Sequence, residues 1–338
     1  MPARRTTLQD VARELNVSPS LVSKVLNRRL SGRSGASREK VQAIFDKARE
    51  LDYQRNAIAT SLVKGRQDAM AVYVHEHGVE GSEITSRTFK GVAEQAARLQ
   101  QRLMLQYYSN AEEFHQLAES AHQSVFDGLI LIGLAMRVPS ESVQSLLRRH
   151  MPVVTVYDHE INPEFPNMGM DQQEVGRLAT QHLIERGCRQ IGFIGVQTGV
   201  HRLQGYRQAL EQAGLPYDER LVAQRSGYTA GTGEAAVQAW RANQVAFDGV
   251  VGQSDQHAAG VINALMRVGV RVPDEVKVVG VDDSPFCGFY PVPITSVSQE
   301  TGRRGAMAAE ALYHLIRREP APSVVIPPRL VVRASSGG

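Results

Sequence analysis

Apolar residues recur at two different periods along the chain, and the change of period falls near residue 68. Ahead of it, Leu8, Val11, Ala12 and Leu15 stand at i, i+3, i+4 and i+7 and form one stripe of a short helix. Thr7 lies three residues before Asp10, so hydroxyl and carboxylate can satisfy free backbone donors at that helix start. A turn at Asn16 and Val17 leads to Ser18 as N-cap, with Pro19 at the first helical position, where its missing N–H costs nothing. The stretch "SPSLVSKVLN", Ser18 to Asn27, then splits into two faces: Leu21, Val22, Val25 and Leu26 on one, Ser20, Ser23, Lys24 and Asn27 on the other. A third helix is predicted from Ser37 to Leu51, with Val41, Ile44, Ala48 and Leu51 along one side. Three short helices sharing a small core make a helix-turn-helix plan, an all-α head.

From Ala69 onward, short apolar runs alternate with helical patterns: "AMAVYV", "TFKGVAEQAARL", "RLMLQYY", "GLILIG", and again "MPVVTVYD", "EVGRLATQHLIERG", "QIGFIGV", "FDGVVG" and "VKVVGVDD". Strand, helix, strand repeated in this way implies an α/β core of parallel sheets covered on both faces. The repetition is too long for one comfortable open sheet, so two doubly wound lobes are expected. Ligands of such folds bind in a crevice outside the carboxyl ends of the strands, and the polar residues that end each run become the ones to inspect.

Charge sharpens the division. Residues 1 to 67 carry 14 Lys or Arg against 6 Asp or Glu, while the whole chain of 338 residues carries a net charge of +3, so a basic head sits on a body of −5. That is the footprint of a protein offering one module to a polyanion; a merely solvated basic surface is the alternative reading. The longest uncharged apolar run, "GLILIGLAM" from Gly128 to Met136, is far short of the roughly 20 residues of a membrane span, and the first residues hold no apolar signal region. A cytoplasmic protein with no membrane partner is expected. The two cysteines, Cys188 and Cys287, stand far apart without metal-ligand spacing, so neither a disulfide framework nor a zinc site is expected.

In a helix-turn-helix plan the second helix lies in the major groove, which gives Ser20, Lys24 and Asn27 a use: Lys24 donating to guanine acceptors, Ser20 serving several bases. A helical bundle with a solvated polar face is the alternative. "TLQDVARELNVSPSLVSKVLN", followed by "NAIATSLVKGR" from Asn56 to Arg66, closely resembles the N-terminal signature of the lactose and galactose repressor family of bacterial transcription regulators. The resemblance implies that Pro19, Ser20 and Lys24 occupy base-reading positions, with Thr7, Ser18, Ser23, Asn27 and Arg28 beside them on the DNA. It also implies that Asn56 to Val63 form a hinge helix that orders on operator binding, with Leu62 as a minor-groove wedge. An apolar residue in a linker is the other reading of Leu62. Two departures stand out: Arg55 replaces the proline usual before the hinge asparagine, and the loop "RRLSGRSGA", Arg28 to Ala36, is long for the family. Its Arg28, Arg29 and Arg33 could reach phosphates.

The runs of the body end in His75-Glu76-His77, Asp158, Ser254-Asp255 and Asp282-Asp283, an inventory suited to hydroxyl groups, and Arg202 after "QIGFIGV" adds a two-pronged donor. The resemblance extends here: "HRLQGY", "SDQHAAG", "VGVDD" and "TSVSQE" look like successive stretches of the periplasmic sugar-binding fold of this family's effector core. It implicates Arg202, Asp255, Asp282 and Gln299, places Tyr228 of "SGYTAGTG" against the ligand, and sets Ser254 where asparagine is common. For each residue a plainer role stands open: helix capping for Asp255 and Asp282, structural pairing for Arg202, wall packing for Tyr228. Gly231-Thr232-Gly233 with Ala236 fits a dinucleotide pattern only loosely and reads as a helix start. "GQSDQ" lacks the second glycine of a nucleophile elbow, and His75, Glu76 and His77 lack a further clustered metal ligand, so neither an enzyme nor a cofactor or metal is expected.

The expected organisation is a head at 1–53, a hinge helix and linker at 54–67, and a core at 68–338. In the core an N-lobe takes about 68–167 and 299–322, and a C-lobe about 168–298 and 323–338. Crossings near Asn167, Ser298 and Pro322 would match the family's core and make a hinge. The expected function is a repressor that binds a palindromic operator as a homodimer, or as a dimer of dimers, under control of a small carbohydrate. A purine, nucleoside or phosphorylated sugar acting as corepressor is the rival effector. A solute-binding protein or an enzyme with a DNA-binding head is the remoter alternative.

Overall fold

The computed structural model describes residues 6–26, 37–53, 66–75, 83–121, 125–133, 140–158, 160–197 and 199–338. The chain forms two compact units, Met1–Gln67 and Asp68–Gly338. In the first, α1 (Leu8–Glu14), α2 (Pro19–Leu26) and α3 (Arg38–Glu50) pack around Val11, Val22, Val25 and Ile44. The caps are those that the local sequence asks for. Thr7 and Asp10 close a reciprocal capping box, the Ser18 hydroxyl accepts from Leu21 N at 3.2 Å, and the Ser37 hydroxyl accepts from Lys40 N at 3.3 Å. Asn16 takes the turn between α1 and α2 at φ 49°, a conformation that asparagine tolerates.

The second unit holds two sheets. The N-lobe sheet runs β2-β1-β3-β4, all parallel, from β1 (Ala69–His75), β2 (Arg102–Tyr108), β3 (Gly128–Ile132) and β4 (Val153–Val156). Its helices are α4 (Glu83–Arg98), α5 (Ala111–Ser120) and α6 (Ser140–Arg148). Every residue of β1 is buried, but alternate residues go to different cores: Ala69, Ala71 and Tyr73 to one face, Met70, Val72 and Val74 to the other. Period-two alternation between two buried faces is why the run reads as continuously apolar.

The C-lobe sheet runs β12-β10-β9-β8-β6-β7, parallel except for the β10–β12 pair. Its strands are β6 (Ile191–Gly195), β7 (Val222–Gln224), β8 (Gly249–Gly252), β9 (Lys277–Val281), β10 (Thr295–Ser298) and β12 (Arg329–Val331). The helices α7 (Gln172–Glu185), α8 (Val200–Gln212), α9 (Ala230–Ala242) and α10 (Asp255–Arg267) cover it. Between the lobes, β5 (Met168–Met170) pairs in parallel with β11 (Val324–Ile326). β5 straddles the junction, since Met168 is buried in an N-lobe core and Met170 in a C-lobe core. The chain crosses again after β10, where α11 (Thr301–Ile316) returns to pack on α4, and once more between β11 and β12.

Three helix pairs meet through reciprocal glycines. A Cβ on Gly91 of α4 would stand 1.9 Å from the carbonyl oxygen of Gly302 in α11, and one on Gly305 would stand 2.0 Å from that of Thr88. Gly176 and Gly205 place α7 and α8 in the same way against Arg202 O (2.0 Å) and Gln173 O (1.9 Å), and Gly233 and Gly260 place α9 and α10 against His257 O (2.2 Å) and Ala230 O (1.8 Å). The middle pair matters most for function, because it brings the first turns of α7 and α8 together at the carboxyl ends of β5 and β6. Gly176→Ala must push α8 outward. It is expected to cost about 1–3 kcal/mol, as overpacking does, and so to lower the thermal midpoint of the core, read by calorimetry; an unchanged midpoint would show that the contact can relax freely.

Candidate functional site

Two surfaces concentrate the chemistry. On the head, Val22, Val25 and Leu26 anchor α2 in the core, which fixes the orientation of the opposite face. Ser18, Pro19, Ser20 and Lys24 are exposed there, and Ser23 is half-buried. The Thr7 hydroxyl donates to Asp10 Oδ2 at 2.7 Å and is engaged in the cap of α1. Asn27, Arg28, Asn56 and Leu62 lie outside the described residues.

In the core, three of the residues singled out from the sequence converge on one side chain that was not, and a fourth joins through one of them. Gln172, the first residue of α7, accepts from Arg202 Nε at 2.7 Å and donates through Nε2 to Asp158 Oδ1 at 2.9 Å and to Gln299 Oε1 at 2.8 Å. Gln299 passes the chain on, donating to Asp282 Oδ1 at 2.6 Å. Amide orientation follows from the partners. A guanidinium only donates, so the Gln172 oxygen must face Arg202 and its amide hydrogens must face the two acceptors. The same logic then turns the Gln299 amide nitrogen toward the Asp282 carboxylate. Arg202 also donates through Nη1 to Gln253 O at 2.5 Å, and the Asp158 carboxylate lies 3.7 Å from Arg304 Nη2. Gln172, Arg202 and Gln299 are buried.

Asp282 and Asp283 follow β9 with φ of 112° and 53°, two successive positive values at non-glycine residues. Such backbone costs of order 1–3 kcal/mol per residue and persists only when its surroundings over-determine it. They do so here. Asp283 N donates to the Ser296 hydroxyl, Asp282 N to Val297 O, and Arg333 binds the Asp283 carboxylate at 2.6 Å. From the N-lobe, Arg87 of α4 donates to the carbonyls of Asp282 and Asp283 at 3.0 and 2.5 Å. Sequence reasoning had no route to Arg87, whose partners are backbone atoms nearly 200 residues away.

Other expected residues are placed differently. Asp255 opens α10, where its Oδ2 accepts from Ser284 N at 2.7 Å and its Oδ1 from the Ser296 hydroxyl at 2.6 Å. With 1% of its surface exposed, it ties the loop after β9 to β10 from inside the C-lobe. Ser254 is the N-cap of α10, its hydroxyl accepting from His257 N at 3.3 Å. β8 ends at Gly252, so Ser254 and Asp255 stand at the start of the following helix. His75 ends β1 edge-on to Tyr108, with ring centroids 5.1 Å apart. Tyr228 is half exposed and stacks on His257 at 5.8 Å, while His257 Nε2 lies 3.0 Å from Gly227 O. Gly231 to Gly233 lie in the first turn of α9, capped by Thr229. Among the described residues, no group of three His, Cys, Asp or Glu is arranged to hold a metal ion, and no helix is long and apolar enough to cross a membrane.

A helix-turn-helix head and a two-lobed core of crossed, doubly wound sheets, with a polar network at the strand ends between the lobes, define a ligand-responsive DNA-binding regulator. Residues 7–56 match the bacterial regulatory proteins of the lacI family, and residues 180–336 match the periplasmic binding protein-like domain. The chain is 32% identical over 342 residues to the HTH-type transcriptional regulator CelR of Thermobifida fusca, covering 98% of each. A solved CelR–cellobiose complex has 30% sequence identity and a TM-score of 0.70, over 98% of this chain and 100% of that one. The lac repressor dimer bound to operator and the anti-inducer ONPF shares the fold, with a TM-score of 0.81 at 20% identity, covering 98% of this chain and 99% of that one. The chain belongs to the lacI family of bacterial regulatory proteins.

Burial pushes the Asp282 carboxyl above the ordinary aspartate range, and the nearby Asp255 adds to the effect. The Arg202 and Arg87 guanidiniums and the Gln299 amide oppose it. Because the folded state then holds this proton more tightly than the unfolded chain, the stability contributed by Asp282 is lost as pH rises above the ordinary aspartate value. His182 and His257, whose burial lowers their pKa, act in the opposite sense as pH falls. The contribution of Asp282 is therefore read as a difference: Asp282→Asn should gain stability relative to wild type between pH 5 and pH 8 in denaturant titrations. Parallel curves would place the Asp282 carboxyl in the ordinary range.

Proposed function

We propose that this regulator is a repressor that binds a palindromic operator as a homodimer and is controlled by a small carbohydrate bound between the two lobes of its core. The observation that carries the effector reading is the convergence of Arg202, Asp158, Asp282 and Gln299 at the strand ends of both lobes, joined through Gln172. Alternating fixed donors and carboxylates are what adjacent sugar hydroxyls, each both donor and acceptor, require. Tyr228, half exposed beside the cleft loops, supplies an apolar face for a sugar ring. CelR, by its complex with cellobiose, makes a β-linked disaccharide the first ligand to test.

On the DNA side, the exposed face of α2 enters the major groove, with Lys24 and Ser20 at base edges and Ser18 and Pro19 at the leading end. Thr7, Ser23, Asn27 and Arg28 flank them, and residues 54–67 form the hinge, Asn56 at its start and Leu62 wedging the minor groove. Closing the lobes on the sugar alters how the two heads of the dimer are spaced. The protein works in the cytoplasm by binding, without turnover of its ligand.

Selection of genomic fragments by the purified protein at two salt concentrations tests the regulator reading, since phosphate contacts make affinity salt-dependent. One enriched palindrome is expected, and equal recovery of all sequences would remove it. Lys24→Ala should lose about 1–3 kcal/mol of operator affinity and relax preference at one base position; a uniform loss across sequences would reassign Lys24 to phosphate. Arg202→Ala should abolish release or recruitment of operator by cellobiose while leaving operator affinity unaltered in its absence. An intact response would take Arg202 out of the site.

A further inference from the structure

We infer that Gln172 is an internal competitor of the effector: its carboxamide bridges the lobes through the same donors and acceptors that a ligand diol would use, so the effector must displace it. The inference rests on the effector reading above and deepens it. Gln172 belongs to α7, which packs on the C-lobe sheet, whereas Asp158 follows β4 of the N-lobe sheet, so the 2.9 Å bond between them ties one lobe to the other. The amide presents one acceptor, taken by Arg202 Nε, and two donor hydrogens, taken by Asp158 and Gln299. Two neighbouring hydroxyls offer the same set, accepting from the guanidinium and donating to a carboxylate and an amide oxygen.

Gln172 is 8% exposed, and its backbone is set by the N-cap Asp171, whose side chain accepts from Gln173 N and Glu174 N. The close glycine contacts fix the first turn of α7 against α8, so the position of the Gln172 backbone does not depend on the hydrogen bonds of its amide. The bridge is removable without dismantling the helix. Each of its partners keeps a second contact: Arg202 to Gln253 O, Asp158 near Arg304, Gln299 to Asp282. The Arg87 clamp on Asp282 and Asp283 is separate and persists as a second tie between the lobes.

The test has two arms on the full-length protein. In the first, without sugar, hydrogen exchange is followed in peptides covering residues 153–172 and 295–304 for wild type, Gln172→Ala and Gln172→Glu. Both variants should exchange faster there, Gln172→Glu more so because its carboxylate would face Asp158 and the Gln299 oxygen; exchange unchanged from wild type overturns the bridge. In the second, cellobiose and D-ribose are titrated calorimetrically. Loss of the competitor should tighten binding in Gln172→Ala about tenfold, within the usual range of such couplings. Weaker binding would make Gln172 a ligand contact and overturn the competition. If neither sugar binds any of the three proteins, the carbohydrate reading falls and the competition with it, while the exchange arm still decides whether Gln172 joins the lobes.

Discussion

A guanidinium buried between lobes cannot accept a hydrogen bond or shed its charge, and this asymmetry of Arg202 organises the core. It dictates which way the Gln172 amide faces, which dictates the facing of Gln299, which leaves Asp282 as the acceptor at the end of the chain. Burying such a set is tolerable only when every member is satisfied, since each unpaired polar group in low dielectric costs more than its hydrogen bond contributes. The network therefore has few alternative arrangements. A cleft with few arrangements is suited to switching between them rather than drifting.

The backbone pays for part of this order: the positive-φ pair Asp282 and Asp283 aims one carboxylate into the cleft and the other at Arg333. Arg87, Ser296 and Arg333 hold that turn from three directions, and one of them comes from the other lobe. A change at the cleft that moves Asp282 must therefore move the contact with α4 as well. In this way chemistry at the strand ends is coupled to the relation between lobes, with no element serving only as a relay. The reciprocal glycine contacts supply the rigidity that makes such coupling effective, because helices that touch backbone to backbone shift as pairs.

The head was legible almost residue by residue. Thr7, Asp10 and Ser18 cap the helices they were expected to cap, and Val11, Val22, Val25 and Ile44 form the expected core, because capping and helical periodicity act over three or four residues. The alternation of the core into doubly wound sheets was equally readable, since β1 and β3 bury both faces. Less was legible at element ends. Ser254 and Asp255 lie two and three residues past β8, at the start of α10, where the Asp255 carboxylate also ties Ser284 to Ser296. Gln172 went unseen because a glutamine in a first helical turn looks like a solvated one.

By itself the sequence determined the head, the two-lobed alternation, the charge division and the residue types at the strand ends. These properties are local or additive, and hydrophobic period, caps and charge carry them without reference to distant residues. Only the tertiary structure decided which polar residues meet. Gln172 stands 127 residues from Gln299 and 30 from Arg202, and Arg87 stands 195 from Asp282. Those meetings depend on sheet order, on where the chain crosses between lobes and on how closely glycine lets α7 approach α8. A buried hydrogen-bond network belongs to the packing of the whole core, and no window of the sequence contains it.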